Sequence, residues 1–169
     1  IDSDYKKTFK HAKAVIDIDY DARIHKILGH LYRLGRGTEI DYQKAVENYE
    51  LSIKHKDDDG SLYQLGFMYR NGIGVEVDYE KSRKYFERGH ALDNESSQFE
   101  LGLIYEFGKG VEKDIDKALE FYKLSAKKDD VDAKYRIKLL NNEIPDNLVN
   151  RTFQEGLDYM YGFTKPMDW

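Results

Sequence analysis

Cysteine is absent from the 169 residues, and basic residues do not outnumber acidic ones. The first absence excludes disulfide scaffolds, thiolate zinc sites and cysteine nucleophiles. The second argues against general nucleic-acid binding, because 27 Lys and Arg residues are interleaved with 32 Asp and Glu residues and the net charge is −5. No apolar run approaches the roughly 20 residues of a transmembrane helix, and no signal peptide is visible. Cytosolic, ER-lumenal and secreted locations are all compatible with this composition.

An eleven-residue pattern occurs three times in the chain. Its copies begin at Leu28, Leu65 and Leu101, which lie 37 and 36 residues apart. Each copy reads Leu-Gly-x-x-Tyr and continues into a Gly-x-Gly pair. Self-similarity at this period predicts a repeat architecture. The signature residues are Leu28, Gly29, Tyr32, Gly35 and Gly37; Leu65, Gly66, Tyr69, Gly72 and Gly74; and Leu101, Gly102, Tyr105, Gly108 and Gly110.

Each repeat is predicted to contain two helices. In the first helix, the Leu, Gly and Tyr of the signature lie along one face. A glycine inside a helix costs roughly 0.5–1 kcal/mol relative to Ala, so its recurrence predicts the close approach of another helix. The Gly-x-Gly pair is predicted to end the first helix, because Gly is favoured in the left-handed conformation just past a helix terminus. A phosphate-binding interpretation needs a preceding strand, whereas a helix is predicted here.

The second helix of each repeat is predicted to begin at an aspartate, namely Asp41, Asp78 or Asp114. Asp suits an N-cap position because its side chain accepts a hydrogen bond from a free backbone N–H. Small, aromatic and small residues follow at spacings of four and three, which place them on one helical face where helices can approach closely. This stripe consists of Ala45, Tyr49 and Ser52; Ser82, Phe86 and Gly89; and Ala118, Tyr122 and Ser125.

The whole chain is predicted to be a single repeat array. Its start matches the second helix of a truncated repeat, because Asp4 precedes Leu28 by the same 24 residues that separate Asp41 from Leu65. The array is therefore expected to extend before residue 1. A fourth first helix is predicted to start at Val131, where the signature then degenerates. The predicted segments are the truncated repeat 1–20, the full repeats 21–56, 57–93 and 94–130, the degenerate repeat 131–144, and a capping helix with a tail, 145–169.

This order of residues at a period of 36–37 residues resembles the Sel-one-like repeat (SLR) family, a relative of the tetratricopeptide repeats. The resemblance covers residues 21–130 most fully. It implies an all-α fold, a right-handed α/α superhelix (solenoid) of helix-turn-helix repeats with a C-terminal capping helix. It also implies a non-enzymatic adaptor that assembles protein complexes. The bacterial cysteine-rich branch staples each repeat with a disulfide, so properties peculiar to that branch, including penicillin binding, are not carried over.

No catalytic, cofactor or metal site is predicted. The five histidines occupy unlike repeat positions, and no nucleophile elbow, zinc-binding helix or kinase motif is present. The acidic run at 57–59 invites a calcium interpretation, but the loop pattern with its terminal Glu is missing. Binding of another protein is therefore the favoured class of function.

Two hypotheses for that function remain. In the first, a partner peptide or helix binds the concave groove that the first helices line in tetratricopeptide-like stacks. Aromatic and Arg side chains are common anchors of such interfaces. In the second, the array is a structural arm that packs through its ends or convex face, in homotypic or intramolecular contacts, and has no groove ligand. The residues predicted to face the groove are His30, Arg33, Tyr63, Phe67, Arg70, Phe99, Leu103, Glu106 and Tyr135.

Overall fold

A computed structural model describes residues 2–16, 21–54 and 56–144, and these ranges contain eight α-helices and no strand. The predicted capping helix and tail, 145–169, lie outside the described residues. The helices are α1 (Asp2–Ile16), α2 (Ala22–Leu34), α3 (Tyr42–Ser52), α4 (Asp59–Asn71), α5 (Tyr79–Ala91), α6 (Glu95–Phe107), α7 (Ile115–Ala126) and α8 (Val131–Leu140).

The chain divides into two compact units, Ile1–Leu92 and Asp93–Trp169. We call them unit 1 and unit 2. Unit 1 contains helices α1 to α5, and its pairs α2–α3 and α4–α5 are the helix pairs of two repeats. Unit 2 contains the pair α6–α7 and then α8. The exact repeat boundaries stay a prediction.

The predicted aspartates begin the second helices. The Asp41, Asp78 and Asp114 side chains accept backbone N–H groups three residues ahead, at distances of 3.0, 2.8 and 2.9 Å. Each therefore satisfies a donor that the first helical turn leaves without a partner. The helices that follow start one residue after each aspartate.

The first glycine of each Gly-x-Gly pair ends a first helix. Gly35, Gly72 and Gly108 have φ values of 63°, 67° and 67°, and their N–H groups bond back into the last turn. An L residue adopts this conformation only with strain. The prediction that these glycines terminate helices is confirmed.

The glycine inside each first helix is the contact point for the aromatic ring of the second helix. A Cβ atom on Gly66 would lie 2.6 Å from the Phe86 ring, and one on Gly29 would lie 2.7 Å from the Tyr49 ring. The Gly102 position meets Tyr122 in the same way. All three rings are completely buried. The predicted close approach of the two helices is confirmed, and the ring is the reason for the glycine.

The second glycine of the pair packs against the preceding helix. A Cβ on Gly74 would lie 2.6 Å from the main chain of Tyr42, at the start of α3. Gly37 meets the main chain of Tyr5 in α1 in the same way. Helix α1 therefore contacts the turn after α2 in the same way that α3 contacts the turn after α4.

A lysine covers the signature tyrosine in every repeat. Lys81 Nζ lies 4.0 Å from the centroid of the Tyr69 ring, and Lys117 Nζ lies 4.1 Å from that of Tyr105. In the first repeat, the distance from Lys44 to Tyr32 is 5.6 Å. A cation over a ring face is attracted by the quadrupole of the ring. This contact gives the repeated Lys a structural role that the sequence pattern alone does not supply.

Candidate partner-binding face

The nine residues predicted to face a groove do not share one environment. The four residues Arg70, Phe99, Leu103 and Glu106 are buried, with exposures of 2%, 5%, 0% and 7%. The other five are half-buried and keep part of their surface accessible. These five are His30, Arg33, Tyr63, Phe67 and Tyr135.

Three of the buried residues belong to the interior of their own unit. Phe99 and Leu103 are members of the core of unit 2, and the Phe99 ring lies 5.5 Å from that of Tyr122. In unit 1, the Arg70 guanidinium stacks 5.2 Å from the centroid of the Phe67 ring. Buried side chains of this kind stabilise the fold, so we do not include them in a binding surface.

The fourth buried residue, Glu106, lies in a polar network inside unit 2. The Tyr122 hydroxyl donates to Glu106 Oε2 at 2.6 Å, and Arg136 Nη1 donates to Oε1 at 3.1 Å. Burial raises the pKa of the Tyr122 phenol well above its usual value, and the Glu106 carboxylate raises it further. Sequence reasoning missed Arg136, because its partner lies 30 residues away and on another helix.

The equivalent place in the first repeat holds a different set of polar groups. The Tyr49 hydroxyl lies 2.9 Å from His30 Nδ1. Burial raises the pKa of Tyr49 to about 12, although the hydrogen bond and charge of Arg33 act against that rise. Because a guanidinium only donates, Arg33 acts on the phenol as a hydrogen-bond donor.

The imidazole of His30 is held in its neutral form. Burial lowers the pKa of His30, and the positive charges of Arg33 and Lys26 lower it further. Asp58 acts in the opposite direction because its negative charge favours the imidazolium. A neutral imidazole can accept a hydrogen bond from the Tyr49 hydroxyl at Nδ1 or donate one to it, according to its tautomer. Within the polar group formed by His30, Arg33 and Tyr49, the positive charge is therefore carried by Arg33.

An ion pair joins the two first helices of unit 1. Lys26 Nζ on α2 donates to Asp58 Oδ2, the N-cap of α4, at 2.7 Å. The other Asp58 oxygen accepts the Ser61 N–H at 2.9 Å. Burial alone would raise the pKa of Asp58, but the hydrogen bonds from Lys26 and Ser61 bring that pKa below its usual value. The pair holds the beginning of α4 against α2.

Aromatic rings occupy the accessible side of α4. The Tyr63 and Phe67 centroids are 6.4 Å apart, and the Tyr63 ring lies 6.0 Å from the buried Phe86 ring. Phe67 holds the position in α4 that His30 holds in α2, one residue after the glycine that contacts the second helix. We call His30, Arg33, Tyr63 and Phe67 the first-helix face.

A second polar cluster lies where α3, α4 and α5 meet. Tyr69 and Tyr85 both donate to Glu50 Oε1, at 3.1 and 3.2 Å, and their rings stack 5.7 Å apart. Lys81 donates to the same carboxylate at 3.3 Å. Burial raises the pKa of Tyr85 to about 12, and the charge of Glu50 contributes to the rise. All of these groups satisfy one another, so the cluster is a structural element of unit 1.

Across the described ranges 2–16, 21–54 and 56–144, no group of three or more His, Asp or Glu side chains is arranged to hold a metal ion. Within the same ranges, no helix has the length and hydropathy needed to cross a membrane.

Comparison with known protein families identifies three copies of one repeat. The model described as "Sel1 repeat" matches residues 27–57, 60–93 and 95–130, which are the parts of the chain that carry the glycine-to-ring contacts. The chain belongs to the Sel1 repeat family. Sel1 repeats form a type of protein-interaction scaffold and are not an enzyme family. No curated protein matches the chain.

Two solved structures show the same Sel1 repeat fold. One is c5321, a protective antigen present in uropathogenic Escherichia coli strains and displaying an SLR fold, with 30% identity and a TM-score of 0.70. The other is a Sel1 repeat protein from Oxalobacter formigenes, with 20% identity and a TM-score of 0.72. The matches cover 83% and 85% of this chain, but only 30% and 55% of those chains. The predicted all-α helical repeat fold is confirmed, and this chain spans about half or less of the structures it matches.

Proposed function

We propose that this protein is a non-enzymatic scaffold that binds a peptide or helix of a partner protein on the first-helix face of unit 1. The observation that supports the proposal most is the accessibility of Tyr63 and Phe67. Both rings remain half-buried, as does Tyr79 in the first turn of α5, whereas Tyr69, Tyr85 and Phe86 of the same repeat are buried. Aromatic side chains that are rigid and partly accessible are common anchors of protein interfaces.

Packing beneath the two rings supports a rigid binding surface. Tyr63 rests on Phe86, which itself fills the space at Gly66. The Arg70 guanidinium packs on Phe67 and is almost completely buried. A surface whose side chains are already ordered loses less conformational entropy when a partner binds.

The proposal is tested with peptides selected from a random display library against the 169-residue chain. Tyr63→Ala and Phe67→Ala should each weaken a selected peptide by about tenfold or more, which corresponds to about 1.4 kcal/mol. Leu92→Ala is the control, because Leu92 is 46% exposed and lies at the end of α5, outside the first-helix face. Melting temperatures of all three variants show whether the fold is retained. Equal affinity of the two ring variants and the control would count against the proposal.

Exposed apolar side chains favour a second candidate, a structural arm that packs on other copies of the chain. Ile40 and Val77 occupy equivalent positions after the glycine pairs and are 57% and 52% exposed. Sedimentation velocity over a range of concentrations tests this function. Association that Ile40→Ser and Val77→Ser abolish would support it, whereas a monomer at all concentrations would exclude homotypic packing.

A further inference from the structure

The third repeat holds a buried guanidinium that is paired with a carboxylate. There, the phenol of Tyr122 and the guanidinium of Arg136 both donate to the Glu106 carboxylate. One anion thus accepts from two donors and neutralises the buried cation. Since a buried cation without a counter-ion is costly, this arrangement explains how Arg136 is tolerated with 1% side-chain exposure.

The first repeat also has a phenol and a guanidinium at this place, but no carboxylate lies with them among the described residues. Tyr49 corresponds to Tyr122, because each ring packs on the glycine of its own first helix. Arg33 takes the sequence position of Glu106, five residues after Leu28 as Glu106 is after Leu101. The phenol and the guanidinium are therefore both present, but the group beside them is the neutral His30 imidazole.

Arg33 is partly buried and has no carboxylate counter-ion among the described residues. The side chain is half-buried, and its Nε is closed off from solvent with no hydrogen-bond acceptor among the described residues. In the same part of the chain, no carboxylate lies within ion-pair distance of Arg33; the nearby Asp58 is bonded to Lys26. A guanidinium in this state gains more from a carboxylate than a fully hydrated surface arginine does.

We propose that the Arg33–Tyr49–His30 group is a subsite for a side-chain carboxylate of the partner, so that the protein binds a peptide segment in which an Asp or Glu accompanies an apolar residue. Charge complementarity with Arg33 selects the acid, and Tyr63 and Phe67 on the neighbouring helix take the apolar residue. This inference rests on the proposed function and specifies the chemistry of the partner.

The binding test uses three synthetic peptides with blocked termini that differ only in whether Glu, Gln or Lys flanks a Phe-Leu pair. Blocked termini leave side chains as the only source of carboxylate. Fluorescence anisotropy with the 169-residue chain should show the Glu peptide binding at least about tenfold more tightly than the Gln peptide, and the Lys peptide most weakly. Arg33→Gln should remove the preference for Glu. Arg36→Gln is the matched control, because Arg36 is exposed, lies in the turn after α2 and packs on the Tyr5 ring.

A stability test does not depend on any peptide. His30→Glu would place a carboxylate beside the Tyr49 hydroxyl and three residues before Arg33, as an internal counter-ion. Compared with His30→Gln, the His30→Glu variant should have the higher melting temperature. It should also no longer bind the Glu peptide, because the introduced carboxylate occupies the subsite. A His30→Glu variant that melts below His30→Gln would overturn the anion subsite.

The two proposals fail in distinguishable ways. If Glu and Gln peptides bind equally and Phe67→Ala weakens both, the carboxylate subsite is wrong and the first-helix face stands. If neither Arg33→Gln nor Phe67→Ala changes the affinity of any peptide, or if no peptide of the panel binds, the subsite and the face are both wrong.

Discussion

The Glu106 carboxylate and the Arg136 guanidinium form an ion pair 3.1 Å long, with side-chain exposures of 9% and 1%. The two residues lie on α6 and α8, 30 positions apart in the chain. In addition, the Arg136 guanidinium lies 5.5 Å from the centroid of the Phe107 ring. This pair fastens the last described helix to the preceding repeat by a contact that no element of the repeat signature encodes.

Breaking this pair from one side should be strongly destabilising. Arg136→Met leaves the Glu106 carboxylate buried without its cation, and we expect the free energy of unfolding to fall by about 3–5 kcal/mol. The double variant Glu106→Leu with Arg136→Met should recover much of the loss, because neither charge remains buried. Urea unfolding at neutral pH measures both effects.

The matched control for that prediction is Lys84→Met. Its ion pair with Glu80 is exposed, with side-chain exposures of 61% and 64%. Exposed pairs contribute little, so the unfolding midpoint should hardly move. A loss in Arg136→Met no larger than that of the control would contradict the account of the buried pair.

The glycine within α4 should be intolerant of even one methyl group. A Cβ at Gly66 would lie 2.6 Å from the Phe86 ring, so Gly66→Ala should force the two helices apart and cost about 1–3 kcal/mol. Gly60→Ala in the same helix serves as control, because its Cβ would meet nothing closer than 3.5 Å. That control should be neutral or slightly stabilising, since Ala is the better helix former. Thermal unfolding measures both variants. A lower melting temperature for Gly66→Ala alone would show that the ring contact, and not helix propensity, determines the effect.

The Tyr85 phenol should make the protein sensitive to alkali. Its pKa is about 12 in the folded state because of burial and the Glu50 charge, whereas an unfolded tyrosine ionises near 10. Between these values the unfolded state binds fewer protons, so stability falls as pH rises. Tyr85→Phe should make the fall in urea midpoint between about pH 10 and 12 shallower than in the original chain. An unchanged slope would show that this phenol does not contribute.

The aspartate before α7 should act through its hydrogen bond to the backbone. Asp114 accepts the Lys117 N–H at 2.9 Å, so Asp114→Ala should cost about 1 kcal/mol. Asp114→Asn should retain most of the stability, because an amide oxygen accepts the same bond. Unfolding in guanidinium chloride measures the stability of both variants. An equal loss of stability in Asp114→Ala and Asp114→Asn would show that the charge of Asp114, and not its hydrogen bond to the backbone, stabilises the helix.

Much of the fold could be predicted because its signals are local. An N-cap such as Asp78 and a C-cap such as Gly72 act on backbone groups within the same turn. The glycine–ring contact of Gly66 and Phe86 was foreseen only as close approach, since sequence spacing does not say which atoms meet. The prediction of the binding residues went less far. Leu103 and Glu106, for example, were predicted to face the groove, but both are buried. Their burial depends on neighbours outside their own helix, which spacing within one helix does not show.

By itself, the sequence determined the family, the order of the helices and the residues at which the second helices begin, because repeated spacing and capping are properties of short stretches. Only the tertiary structure decided which side chains of the first helices stay accessible. Glu106 became an internal counter-ion because Arg136 reaches it from α8. Arg33, at the same repeat position, has no carboxylate beside it in the described part of the chain. Equal positions in a repeat differ in charge environment because the packing of distant residues, and not the spacing, supplies their partners.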